Sequence, residues 1–129
     1  KELDAPCWFS FSCRDGAHIS DGTPISECAK RLDGEDIVKA VGVNCTRPEY
    51  ISELIENIRS SCSKPVVVYP NRGEEYDPVR KIWLGAKNAK DFGAWTEEWY
   101  GRGASVIGGC CRTTPGDIAK AAAFRNGII

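Results

Sequence analysis

Four short apolar runs recur along the chain, and each is followed by a polar or glycine-rich turn and then by a stretch with helical periodicity. β-Branched and aromatic residues dominate the runs, as is typical of buried strands. The runs begin about every 30 to 40 residues, which is the spacing of strand-helix (βα) units. The predicted strands span residues 6–13, 36–45, 64–71 and 103–110.

Helix start signals follow three of the four predicted strands. Each combines a threonine, whose hydroxyl can cap the first turn, with a proline or an acidic residue close behind it. The predicted signals are Thr23 with Pro24, the capping box of Thr46 and Glu49, and Thr114 with Pro115 and Asp117. The three helices are therefore expected to begin in nearly the same way.

The third unit differs, because residues 71–90 separate its strand from the next helical stretch. Long connections without structure of their own are uncommon in compact domains and often cover a binding site. Phe92, Trp95 and Trp99 then recur on one helical face and predict a buried face rather than an aromatic binding box. Gly101 or Gly103 is expected to end this helix.

Repeated right-handed βα units predict an α/β fold with a parallel sheet, either open or closed into a barrel. An eight-stranded barrel takes about 250 residues. The chain has 129. Four units therefore predict either a small open sheet or half of a larger barrel.

Composition narrows the class of partner. The net charge is −1, and no basic cluster is interleaved with aromatic residues, so nucleic acid is not an expected partner. The apolar runs are far shorter than the roughly 20 residues that cross a bilayer. No membrane partner is expected either. Seven cysteines are an odd number in a chain long enough to fold without disulfides, so we expect reduced thiols and a cytoplasmic location.

The adjacent pair Cys110 and Cys111 ends the fourth predicted strand, and Cys45 ends the second. A disulfide between neighbours in sequence is strained, whereas one metal ion can take both thiolates. The carboxyl ends of parallel strands lie at one edge of the sheet, so Cys45 is expected to join the pair. Three thiolates favour zinc and leave one tetrahedral position open, as in catalytic zinc sites. The competing interpretation is that Cys45 is a buried strand-end residue and the pair is incidental.

An open position on a thiolate-bound metal suits a substrate that is itself a thiol. Coordination removes the proton of a thiol whose usual pKa is about 8.5. Both cysteine segments also precede predicted helix N-termini, whose partial positive charge favours thiolate. The other four cysteines, Cys7, Cys13, Cys28 and Cys62, are interpreted as small hydrophobic residues.

Three motifs carry a family resemblance: GVNCT at 42–46, VVVYPNRGE at 66–74 and IGGCCRTTP at 107–115. Together with SFSCRDGAHISDGT at 10–23 they resemble the homocysteine S-methyltransferase family, especially its plant-type, zinc-dependent members. The resemblance implies a (β/α)8 TIM barrel in which Zn²⁺ is held by Cys45, Cys110 and Cys111. It further implies methyl transfer from S-methylmethionine or S-adenosylmethionine to homocysteine, in methionine biosynthesis.

Two features of the family do not appear in this sequence: the N-terminal glycine-rich motif and the strand with the homocysteine-binding glutamate. Residues 1–129 are therefore predicted to be a partial homocysteine-binding domain, the C-terminal four βα units of the barrel with parallel strands. A half barrel has two unpaired edge strands, which predicts self-association through those edges.

Asn44, Tyr69 and Asn71 are candidate substrate-binding residues, because they lie at the strand ends that face the predicted site. Support of the backbone and turns is the equally open alternative. Arg112 could offset thiolate charge or be an exposed arginine at a helix start, and His18 is expected to be solvated.

Two other functions remain open besides methyl transfer. The chain could be a truncated, non-catalytic zinc-binding fragment of such an enzyme. It could also, as a less favoured interpretation, be a thiol redox protein.

Overall fold

The structure is a computed structural model that describes residues 5–85 and 90–129. Residues 86–89 of the long predicted connection, and residues 1–4 of the predicted domain, lie outside this range. The elements in chain order are β1 (Cys7–Phe11), α1 (Ile25–Asp33), β2 (Val38–Asn44), α2 (Pro48–Arg59), β3 (Val66–Tyr69), β4 (Glu75–Asp77), β5 (Ile82–Leu84), α3 (Phe92–Arg102), β6 (Ala104–Ile107) and α4 (Pro115–Ile128). None of the helices in the described ranges is long and apolar enough to cross a membrane.

Four of the strands form one parallel sheet in the order β1-β2-β3-β6. Ser10 of β1 lies opposite Gly42 of β2, which in turn lies opposite Val67 of β3. A helix lies between each strand of this sheet and the next one along the chain, as parallel neighbours require. The predicted α/β fold of four βα units with parallel strands is confirmed.

The hydrophobic core lies between the sheet and the helices and is centred on α2. Side chains on one face of this helix are fully buried against the valines of β2 and β3. The fully buried members are Ile51, Leu54, Ile55 and Ile58 of α2, Val41 and Val43 of β2, and Val66 and Val68 of β3. Each such aliphatic side chain contributes about 1.5–3 kcal/mol relative to an exposed one.

Helix α3 adds an aromatic cluster to this core. The Trp99 ring meets Phe92 edge-on with centroids 5.8 Å apart and stacks on Trp95 at 5.5 Å. All three side chains are buried, which confirms the predicted face. Gly103 ends the helix with φ of 109°, a left-handed conformation that favours glycine.

The three predicted helix caps have different outcomes. At α4 the prediction is confirmed: Thr114 and Asp117 form a reciprocal capping box, and Pro115 is in the first turn. At α1 the prediction is wrong, because Pro24 itself occupies the N-cap and no side chain caps the helix. Thr23 instead belongs to the preceding turn, where its backbone N–H donates to Asp21 Oδ1 at 2.8 Å.

The predicted capping box at α2 is also wrong. Arg47 is the N-cap residue, and no side chain caps this helix. The Thr46 hydroxyl, which is buried, accepts a hydrogen bond from Cys13 N at 2.9 Å and donates one to Asn44 O at 2.9 Å. A tertiary role, tying the end of β1 to the end of β2, takes the hydroxyl away from the helix.

The long connection after β3 contains an antiparallel hairpin, β4–β5, which the sequence pattern does not predict. Tyr76 and Trp83 lie opposite each other in the hairpin, with ring centroids 5.2 Å apart. Both rings are partly exposed. The hairpin therefore gives the connection a structure of its own beside the carboxyl ends of the strands.

Apolar side chains are exposed on the two edge strands, β1 and β6. Trp8 is 61% exposed and Val106 is 54% exposed. Within the described ranges neither edge strand has a second strand neighbour. The parallel sheet is therefore open at both edges.

Candidate metal centre

The carboxyl ends of β2 and β6 bring three cysteines together. Cys45 directly follows β2, and Cys110 and Cys111 lie in the loop after β6, on the other side of β3. Their three Sγ atoms all lie within 4.8 Å of one another. The structure thus gathers the three cysteines that the sequence singles out as metal ligands.

Backbone conformation at this edge is unusual. Cys45 has φ of 45° and Arg112 has φ of 67°, both left-handed, which costs about 1–2 kcal/mol for a residue with a side chain. Gly109 precedes the adjacent cysteine pair, and a Cβ there would overlap the Thr113 side chain. Such strained positions persist where surrounding contacts hold them, and they are frequent at functional sites.

One expectation is wrong: the seven cysteines are not all reduced thiols. Cys45 and Cys110 form a disulfide, with their Cα atoms 5.5 Å apart, while Cys111 is free and exposed. The reason is the convergence itself, since this Cα separation lies within the disulfide range. The adjacent pair is not bonded to itself, and the Cys110 and Cys111 sulfurs lie 3.9 Å apart.

The donor set fits zinc once the disulfide is reduced. Three soft sulfur ligands on two loops are a typical zinc set, and three protein ligands leave a fourth position for a substrate. Helices α2 and α4 begin shortly after the two cysteine loops, so the partial positive charge of each N-terminus lies close to the cluster. Arg112 is ion-paired with Glu74, Nε to Oε2 at 2.6 Å, so its charge is already partly neutralised.

The structure places the three candidate substrate-binding residues in two kinds of surroundings. Asn44 Nδ2 donates to Ser12 Oγ at 3.2 Å, and the Tyr69 hydroxyl is hydrogen-bonded to Ser10 Oγ. Asn71 instead bonds to backbone: Oδ1 accepts from Gly73 N at 2.8 Å, and Nδ2 donates to Cys45 O at 3.4 Å.

Sequence reasoning missed Ser10 and Ser12. The available signal is their alternation in WFSFSC, because residues two apart in a strand share a face. The Ser10 hydroxyl on β1 and the Ser12 hydroxyl just after it form a polar patch with Asn44 and Tyr69 near the carboxyl edge.

His18 is not simply solvated. Its Nδ1 lies 2.9 Å from Asp15 Oδ1, the same oxygen that accepts the backbone N–H of Ala17 at 2.8 Å. The Ala17 N–H, with further hydrogen bonds from His18, lowers the pKa of Asp15 to about 2. This pair orders the loop after β1.

Of the remaining cysteines, Cys62 is buried and Cys13 and Cys28 are partly buried. Burial raises the pKa of Cys13 to about 11, and burial also raises the pKa of Cys28 and of Cys62. A raised pKa suppresses the thiolate, which is the reactive and metal-binding form. These three thiols therefore have little thiolate character at neutral pH.

Comparisons with known proteins show which proteins the chain resembles. Homocysteine S-methyltransferase YbgG of Bacillus subtilis is 49% identical over 121 residues, which are 94% of this chain and 38% of the relative. Selenocysteine Se-methyltransferase of Brassica oleracea is 47% identical over 116 residues, 88% of this chain and 33% of the relative. The metallated form of the homocysteine methyltransferase MmuM from Escherichia coli superposes with a TM-score of 0.73 at 36% identity, over 92% of this chain and 35% of that one.

The chain therefore spans between 33% and 38% of the length of these relatives. A family model described as homocysteine S-methyltransferase matches residues 1–124. Because this match covers nearly all of the sequence, the chain belongs to the homocysteine S-methyltransferase family.

Proposed function

We propose that the protein transfers a methyl group from a sulfonium donor, S-methylmethionine or S-adenosylmethionine, to the thiol of homocysteine, forming methionine. The observation that carries the proposal is the convergence of three cysteine sulfurs at the carboxyl edge of a parallel sheet, in a chain of this family. A cytoplasmic location is part of the proposal, since the cysteines must be kept reduced.

Cys45, Cys110 and Cys111 would hold Zn²⁺ in the reduced protein. When bound, the metal would supply a position for the substrate thiol and lower the pKa of that thiol. The chain's own contribution is to hold the three cysteine sulfurs on two loops, each shortly before a helix N-terminus.

The reaction is balanced without an acid catalyst. The substrate sulfur, as thiolate, attacks the methyl carbon, a sulfur–carbon bond forms, and the bond from that carbon to the sulfonium sulfur breaks. The donor leaves as a neutral thioether, and the thiol proton goes to solvent. Catalysis then depends on alignment and on thiolate supply.

A selenol is a second candidate acceptor. One relative is named for methyl transfer to selenocysteine, and it is 47% identical to this chain. A selenol is softer and more acidic than a thiol, so a thiolate-rich metal centre also suits it. The test of the proposal therefore needs both homocysteine and selenocysteine as methyl acceptors.

Two alternatives to methyl transfer are a zinc-binding fragment without turnover and a thiol redox protein. The first follows from the length of the relatives, which this chain spans only in part. The rest of a substrate pocket could come from the length that this chain does not span, in which case residues 1–129 would be a zinc-binding fragment without turnover. The open edges of β1 and β6 favour association with further strands, including those of a second copy. The Cys45–Cys110 disulfide is the observation that supports the redox alternative.

One set of measurements separates these functions. The reduced chain is first assayed for bound zinc. It is then assayed with each sulfonium donor for methionine formed from homocysteine, and for Se-methylated product formed from selenocysteine. We expect one zinc per chain, lost in Cys45→Ser and kept in Cys28→Ser, which removes a thiol from α1 instead.

If the chain binds zinc but transfers no methyl group with any pair of donor and acceptor, it is a non-catalytic zinc-binding fragment. A chain that binds no zinc when reduced, and whose cysteines cycle reversibly with a dithiol reductant, would be a redox protein. Either result contradicts the proposed methyl transfer by this chain.

A further inference from the structure

We infer that residues 70–75, here called the bridging segment, set the spacing of the two cysteine loops, and that Asn71 is a positioning residue for Cys45. The inference deepens the proposed function and rests on the zinc centre that it includes. It assigns Asn71 to the support of a metal ligand rather than to contact with substrate.

The bridging segment lies between the two cysteine loops and is bonded to both through its backbone. Pro70 O accepts from Cys110 N at 2.9 Å, and Arg72 N donates to Cys111 O at 3.0 Å. On the other side, Asn71 N donates to Thr46 O at 3.1 Å. Successive residues thus alternate between the loop after β6 and the loop after β2.

The Asn71 side chain completes the contact with the loop after β2. Its Nδ2 donates to Cys45 O at 3.4 Å, next to the backbone bond to Thr46. Its Oδ1 accepts from Gly73 N at 2.8 Å, at a buried glycine whose φ is 86°. Both polar ends of this amide are therefore engaged by backbone groups.

Cys45 needs such support because its own conformation is left-handed, with φ of 45°. Its backbone N–H donates to Tyr69 O at 3.1 Å, and its carbonyl is the group that Asn71 Nδ2 contacts. Contacts to both sides of the residue fix the direction of its Cβ, which limits Sγ to the few staggered positions around that bond.

Ion pairs fasten the same segment at three further points. Glu74 pairs with Arg112, next to Cys111, and Glu75 pairs with Arg47 at 3.2 Å, two residues after Cys45. A third pair joins Arg72 Nε to Asp117 Oδ2 at 3.4 Å, at the start of α4. Because these pairs reach both loops, the bridging segment holds the two cysteine loops next to each other.

Groups that orient metal ligands from outside the coordination sphere typically change metal affinity by about 10–100-fold when removed. Asn71 contacts the ligand's backbone rather than its sulfur, so we expect the low end of that range. The expected effect of Asn71→Ala is about a tenfold loss of zinc affinity.

The test measures metal binding by the reduced 129-residue chain under nitrogen. Zinc affinity is obtained by competition with a chromogenic chelator, and Co²⁺ serves as a spectroscopic probe of the ligand geometry. Asn71→Ala is expected to weaken zinc binding and to change the intensity of the cobalt ligand-field bands. Asn71→Asp keeps the acceptor for Gly73 but loses the donor for Cys45, so it should also weaken binding.

Asn57→Ala is the matched control. Asn57 Nδ2 donates to Gly16 O at 2.9 Å, which is also an amide-to-backbone hydrogen bond between distant parts of the chain, but on α2 and away from the cysteines. It should lower the thermal midpoint without changing zinc affinity or the cobalt spectrum.

Wild-type zinc affinity and cobalt spectrum in both Asn71 variants would overturn the inference and leave the proposed function standing. An equal loss of affinity in Asn57→Ala would also overturn it, since the effect would then follow from stability alone. If the wild-type chain binds neither metal, the zinc centre and this inference both fail.

Discussion

The centre of the sheet and its β6 edge differ in how completely they are packed. Helix α2 buries one whole face, including Ile51 and Ile55 at 0% exposure, against β2 and β3. In α4, which follows the edge strand β6, Ile118 is 42% exposed and Ile128 is 48% exposed. The centre has the packing of a finished core, whereas the edge carries apolar side chains that the described residues cover only in part.

The largest effect is expected in the centre, where Trp99→Ala removes a fully buried ring that contacts Phe92 and Trp95. It should lower the free energy of unfolding by about 3–5 kcal/mol. Ile118→Ala, at the edge, removes a side chain that is 42% exposed and should lower it by only about 1 kcal/mol. Urea denaturation of both variants measures the difference. Similar losses would mean that the edge is packed in solution, for instance against a second copy.

A smaller effect is expected where two central strands approach each other. At Gly42 of β2, an added Cβ would overlap the carbonyl oxygen of Val67 on β3. Gly42→Ala should therefore destabilise the chain by about 1–3 kcal/mol. Gly34→Ala is the control, because nothing lies within 4 Å of a Cβ there. Equal unfolding midpoints for the two variants would contradict the close approach of β2 and β3.

The smallest effect concerns pH at the start of α4. Burial raises the pKa of Asp117, but hydrogen bonds from Thr114 and the charge of Arg72 outweigh it and leave the pKa below its usual value. The contribution to stability is therefore present above the unfolded pKa of about 3.9 and is lost as pH falls through the folded value.

Unfolding of wild type and Asp117→Asn is compared across this acidic range. The stability difference between them should shrink as pH falls below about 4. A difference that stays constant with pH would show that the carboxylate charge does not support the helix start.

The positions of the three cysteines could be predicted from sequence because parallel topology leaves little choice. Once Cys45 and Cys110 end strands of one parallel sheet, their convergence follows from the shared carboxyl edge. The buried face of α3 was equally predictable, because Phe92, Trp95 and Trp99 repeat at helical spacing.

Features that depend on tertiary partners could not be predicted. A capping box at Thr46 has the right local sequence, but the hydroxyl finds Cys13 N and Asn44 O instead. The β4–β5 hairpin has strands of three residues each, too short for alternation to stand out. The engagement of Asn71 by backbone groups likewise appears only when three loops are brought together.

Along the chain, the hairpin also separates Cys45 from the adjacent cysteine pair. Its tip carries Val79, 90% exposed, beside the exposed residues Arg80 and Lys81, and exposed loop tips are preferred sites of proteolytic cleavage. A single cut there would leave Cys45 in one fragment and the adjacent cysteine pair in the other. The two fragments would still be joined by the pairing of β3 with β6 and by the Cys45–Cys110 disulfide. The cysteine cluster therefore connects two pieces of chain. The hairpin is a place where the backbone can be cut while the cluster stays intact.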